Sequence, residues 1–190
     1  MKCCAALLVS LIVLPSCTTQ QPAASGEIFD EETATTELVV ATPMVFARER
    51  SDVAAHARDY ATLVAVEVDR SGEYGEYFLL YRWSTVDRRM SPPPARDAGK
   101  LRLLADGREI DLSPLDRLPV NMQQRRVLHV PAHGDIVAHA YQVDASLLQF
   151  IAASRDLVLR MPQESFDAPF TLWADGRRSL QRFMERAALP

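Results

Sequence analysis

Four side chains that can bind a metal fall close together in the stretch HVPAHGDIVAHA. They are His129, His133, Asp135 and His139, all within eleven residues. Imidazole nitrogens suit zinc, copper or nickel, and a turn between two strands can bring such ligands together. Asp135 and His139 are four residues apart, so they share a face if this part of the chain is a strand. The cluster therefore predicts a divalent-metal or small-ligand site.

The same histidines also have a purely structural interpretation. Their spacing matches no strong zinc signature, and His129 and His133 reach the other two residues only if the turn folds them onto the same side. The alternative is two or three partly exposed histidines around a hairpin, with His139 in the core. Apart from this divalent metal, no cofactor is predicted.

An aromatic stretch is the second candidate for binding. Five aromatic residues lie on either side of Arg82: Tyr74, Tyr77, Phe78, Tyr81 and Trp83. Aromatic rings beside an arginine can stack on a sugar or a peptide. Aromatic residues in strands also form protein cores, so that alternative stays open for this set. Tyr74 falls at a predicted turn, and Tyr74 and Arg82 are the candidate binding residues.

Sequence patterns of the common catalytic classes are absent. The chain has no Gly-x-Ser-x-Gly motif and no glycine-rich phosphate loop. Cysteine occurs only at Cys3, Cys4 and Cys17, so the chain after Cys17 offers no disulfide and no thiolate ligand. The net charge of −4 gives no electrostatic reason to expect nucleic-acid binding. No catalytic residue is predicted.

The start of the chain has the pattern of an export signal. Lys2 precedes an apolar run from Ala5 to Leu14, which only Ser10 interrupts. A membrane span needs roughly 20 apolar residues, whereas the apolar region of a secretory signal has about 7–15. The run ends in Leu14-Pro15-Ser16-Cys17, which resembles the lipobox of bacterial lipoproteins: Leu, two small residues and Cys.

The resemblance implies that residues 1–16 are a lipoprotein signal peptide and that Cys17 carries lipid, which anchors the protein in a membrane. Thr18 stands where Asp would imply retention in the inner membrane, so the expected location is the periplasmic face of the outer membrane. Residues 17–36 are then a flexible acidic tether, since they contain four acids and no base and little strand periodicity.

The rest of the chain, residues 37–190, predicts a single globular domain dominated by strands. Residues 37–47 read as one strand with Pro43 at an edge or bulge. Residues 60–69 and 76–86 flank RSGEYG and predict a hairpin whose second strand is central, because it has apolar residues on both faces. A second hairpin follows from Asp106-Gly107, a strong turn signal.

Two short helices are predicted near the end, one before the strand RDLVLRMP and one after the strand APFTLWA. Asp144 is a good N-cap for the helix ASLLQFIAAS, and Asp175 for the last helix. The last helix has an apolar stripe that predicts docking onto the sheet: Leu180, Phe183, Met184 and Ala187. The predicted fold is therefore β-rich α+β, a mostly antiparallel sheet or sandwich of about seven or eight strands with two C-terminal helices. This order of elements resembles only small uncharacterised envelope proteins, so it implies no activity.

The leading functional hypothesis is a lipid-anchored periplasmic protein that acts as a non-catalytic interaction or assembly module. Its expected partners are the membrane, through Cys17, and another envelope protein. The first alternative is a small-ligand or metal-binding module built on the histidine cluster. The second alternative is a small envelope hydrolase, since an active site need not have a readable local motif.

Overall fold

The computed structural model describes residues 26–85, 99–117, 119, 137–162 and 168–187. These residues form ten strands and two helices. The strands are β1 (Gly26–Asp30), β2 (Thr35–Val39), β3 (Met44–Glu49), β4 (Arg58–Arg70), β5 (Glu73–Ser84), β6 (Leu101–Ala105), β7 (Arg108–Leu112), β8 (Val137–Val143), β9 (Leu157–Arg160) and β10 (Phe170–Ala174). The helices are α1 (Ala145–Ala153), between β8 and β9, and α2 (Arg177–Ala187), after β10.

All ten strands belong to one antiparallel sheet. Its main order is β1-β2-β4-β3-β10-β9-β6-β7, and β5 adds to β4 and carries β8 on its other side. The sheet curls, so that the segment after β7 lies beside β8. There, the backbone N–H of Leu115 donates a hydrogen bond of 2.8 Å to the carbonyl oxygen of Ala140. The predicted fold class is confirmed: a β-rich α+β antiparallel sheet with two short helices near the end.

The long strand β4 organises this sheet. Along one edge it pairs with β5 from Asp59 to Arg70, which confirms the first predicted hairpin. Its other edge is divided between β3 and β2. The sequence predicted one strand over residues 37–47, but the chain breaks around Pro43, which has no N–H to donate to a ladder. The break gives two strands in place of one.

The core confirms the other main sequence predictions. Four consecutive residues of β5 are buried, as expected for a central strand: Phe78, Leu79, Leu80 and Tyr81. The β6–β7 hairpin turns at Asp106 and Gly107, both with positive φ. In α2, Leu180 and Phe183 are fully buried in the core cluster, so the apolar stripe does dock.

Both predicted acidic residues accept a hydrogen bond from the first turn of their helix. The Asp144 carboxylate accepts a hydrogen bond of 2.7 Å from the backbone N–H of Leu147. The Asp175 carboxylate accepts one of 3.0 Å from the backbone N–H of Arg177. In the part of the chain that the structure describes, neither helix is long and apolar enough to cross a bilayer.

Residues 26–36 are part of the sheet and not of a flexible tether. Residues 26–36 were expected to be part of a flexible tether, but β1 and the start of β2 form a hairpin that joins the sheet through β4. The sequence pattern missed β1 because most of this strand is exposed, so it has no buried face to impose an alternation of apolar residues. Residues 1–25, including Cys17, lie outside the described part, and the signal and lipid anchor stay predictions.

Candidate functional site

A buried carboxylate, that of Asp59, joins two arginine side chains at one end of the sheet. Asp59 of β4 lies opposite Arg48 of β3 in the strand register. Its Oδ2 accepts hydrogen bonds from Nε and Nη2 of Arg48, at 3.0 and 2.8 Å, and from Nη1 of Arg50 at 3.0 Å. The Arg48 guanidinium also lies 4.3 Å from the centre of the Phe170 ring of β10. One carboxylate thus ties β3, β4 and the loop after β3 together.

These charges are suited to holding structure rather than to moving protons. Burial on its own would raise the pKa of Asp59, but hydrogen bonds from Ser84, Arg48 and Arg50 hold it below its ordinary value. Burial, followed by the charge of nearby Arg48, lowers the pKa of Arg82 to about 10. The Asp59 pKa is lowered further from neutrality and the Arg82 pKa stays well above it, so both side chains are ionised at neutral pH.

Two of the predicted site residues meet on the inner face of β5 and β8. The register pairs Leu80 with His139, so Arg82 and His139 lie on the same face of neighbouring strands. Burial, and then the charge of Arg82, lower the pKa of the half-buried His139. Its imidazole is therefore neutral at neutral pH, as a metal ligand must be, but the guanidinium next to it opposes a bound cation.

Only one of the four predicted metal ligands, His139, lies in the described part of the chain. His129, His133 and Asp135 lie outside the described residues. Within the described ranges, no three His, Cys, Asp or Glu side chains are grouped so that they could hold a metal ion. The divalent-metal site around His139 stays a prediction.

Tyr74 and Arg82, the predicted binding pair, do not form one site. Tyr74 is 71% exposed, as the predicted turn suggested, whereas Arg82 is buried. Eight residues of the same strand separate them, about 26 Å at 3.3 Å per residue. Of the other aromatic residues in this stretch, Phe78 and Tyr81 belong to the core.

The outer face at the Asp59 end carries an aromatic cluster that the sequence did not indicate. Tyr60 and Trp83 are cross-strand partners and stack with ring centroids 4.1 Å apart and 10° between planes. Trp173 of β10 meets Tyr60 edge to face at 6.1 Å. The Arg58 guanidinium lies 4.7 Å from the centre of the Trp173 ring. These four residues are called the aromatic surface below.

Local backbone geometry aims Trp173 at this surface. The register between β10 and β3 shifts between Leu172 and Ala174, so Trp173 is the extra residue of a bulge. Bulges commonly redirect a side chain, and here the indole stays 57% exposed while Tyr60 and Arg58 contact it. Only Trp83 belonged to the predicted aromatic set. Trp173 lies ninety residues further along the chain, and no local pattern links the two.

The aromatic surface can bind by stacking, apolar contact and cation–π attraction. Trp, Tyr and Arg are the residue types that most often dominate the binding energy of protein–protein interfaces. No protein-family model, curated protein or solved structure matches the chain. The candidate site is therefore defined by these contacts alone.

Replacing Asp59 with Asn should lower the free energy of unfolding by about 3–5 kcal/mol at neutral pH, because it leaves buried Arg48 without its countercharge. The matched control is Asp52→Asn, which removes a more exposed partner of Arg50 and should cost much less stability, because exposed ion pairs contribute little. Urea unfolding of both variants measures the difference.

The stability difference between the wild type and Asp59→Asn should depend on pH. The folded-state pKa of Asp59 is below the ordinary 3.8, so its contribution is present above that pH and is lost as the pH falls through the folded-state pKa. The gap between wild type and Asp59→Asn should therefore narrow below pH 3.8. Equal losses in the two variants at neutral pH would contradict a structural role specific to Asp59.

Proposed function

We propose that this protein is a non-catalytic interaction module of the bacterial cell envelope, anchored by lipid on Cys17 at the periplasmic face of the outer membrane. The lipobox-like ending at Cys17 supports the anchor, and the aromatic surface supports the interaction. The observation that carries the proposal is the 57% exposed Trp173, held against Tyr60 and Arg58.

The aromatic surface favours a protein partner because its side chains are fixed before binding. Tyr60 stacks on Trp83, and the edge contact and the guanidinium restrict Trp173. Side chains that are already ordered lose little conformational entropy when a partner covers them. An exposed indole in such a setting is a suitable anchor for a pocket on another folded protein.

The partner of this module is expected close to the membrane. β1 begins at Gly26, nine residues after Cys17. Nine residues span at most about 30 Å even when fully extended. With lipid on Cys17, the domain stays near the bilayer surface, so the partner is a membrane protein or another membrane-bound envelope protein.

Replacing Trp173 with Ala should weaken the complex by at least about 2 kcal/mol, which is about 30-fold in Kd, because an interface anchor is lost. Native mass spectrometry of the lipidated protein, gently extracted from its own membranes, should show a bound protein for the wild type and little for the variant. Tyr74→Ala removes an exposed aromatic side chain at the other end of β5 and should keep the complex. A partner retained equally by Trp173→Ala would contradict the assignment, and so would a bound metal or small molecule without any protein.

Measuring the intact mass of the protein tests whether Cys17 carries the lipid anchor. The wild-type protein should have the mass of residues 17–190 plus two or three acyl chains, and Cys17→Ala should carry none. Cys4→Ala is the matched control, because residue 4 is removed with the signal peptide and the mature mass should not change. Acyl chains that persist in Cys17→Ala would refute lipidation at this residue.

A further inference from the structure

The first strand of the described chain is an exposed sheet edge. β1 pairs with β2 along its whole length and, among the described residues, with no other strand. Residues 26–29 are all exposed. An edge strand of this kind presents a row of backbone N–H and C=O groups that a further strand can pair with.

Large apolar side chains stand on both faces of this edge. Ile28 is 42% exposed and Phe29 is 61% exposed. Successive residues of a strand point to opposite faces, so the two side chains flank the position that an added strand would take. Cross-strand contacts with an added strand would remove both from water, and such pairs stabilise sheets.

The acidic residues around β1 determine which kind of strand can pair with its free edge. Residues 26–36 contain four acidic and no basic residues, with Glu27 and Asp30 in the strand and Glu31 and Glu32 just after it. Arg186 of α2 lies 3.4 Å from Glu27. Glu31 and Glu32 are exposed at the end of the strand, and their carboxylates favour an added strand that carries arginine or lysine.

The same charges argue against two other strands that could pair with β1: one from a second copy of the chain and one from the segment before Gly26. A second copy of the chain would bring two sets of acids together, and like charges on paired strands are destabilising. The segment between Cys17 and Gly26, TTQQPAAS, has no charged residue and could not complement the acids.

We propose that β1 binds an extended, cationic segment of a partner protein by strand addition, with basic residues alternating with apolar ones. The backbone hydrogen bonds of the added strand supply affinity, and its side chains supply selectivity for the acidic edge. β1 reaches the sheet at the Val66–Arg70 end of β4, whereas the aromatic surface lies at the Arg58 end. This is a second binding surface, separate from the one in the proposed function.

The test uses the full chain and a synthetic seven-residue peptide of alternating arginine and valine, with binding measured by isothermal titration calorimetry. The same peptide with N-methyl groups on alternate backbone nitrogens keeps its charge but cannot complete the ladder, so it should bind at least about tenfold more weakly. A glutamate–valine peptide should also bind at least about tenfold more weakly. Equal binding of the N-methylated peptide would overturn strand addition.

Matched variants locate the binding. Glu31→Lys/Glu32→Lys should weaken binding of the arginine–valine peptide at least about tenfold, whereas Glu109→Lys/Asp111→Lys, the same change in net charge on the distant strand β7, should not. Trp173→Ala should bind the peptide as the wild type does, which separates this proposal from the proposed function. Unchanged binding by the Glu31/Glu32 variant, or a dimer through β1 in analytical ultracentrifugation, would overturn it.

Discussion

Backbone pairing along both edges of β4 organises the sheet. This strand pairs with β5 over nearly its whole length, and Pro43 divides the partner on its other edge into β2 and β3. Each end of β4 is thereby given a different neighbour. One end pairs with β3, which carries Arg48, and the other pairs with β2 of the β1–β2 hairpin.

At the end of β4 that pairs with β3, one face of the sheet carries buried charges and the other carries aromatic rings. Asp59 points inward, where Arg48 and Arg50 share its Oδ2. Tyr60, the next residue, points outward and stacks on Trp83. The ion pair joins β3 to β4, and β10, which carries Trp173, pairs with β3. The same strands therefore carry the buried ion pair on one face and rings of the aromatic surface on the other.

Local sequence signals predicted the elements that depend on neighbouring residues. The caps at Asp144 and Asp175 and the turn at Asp106-Gly107 were correct, because capping and turn geometry involve only a few adjacent residues. β1 was missed because an exposed strand has no hydrophobic alternation, and the aromatic surface was missed because Trp173 reaches Tyr60 through a bulge in a distant strand. Arg82 and His139 were named as separate candidates, and only the β5–β8 register brings them together.

Site-specific photocrosslinking can detect the proposed contact between the aromatic surface and another envelope protein in the native membrane. A benzophenone amino acid is placed at Trp173 and, as a control, at Glu109 of β7. We expect a crosslink from position 173 to one envelope protein and none to that protein from position 109. The absence of any protein adduct at position 173, or the same adducts from both positions, would contradict it.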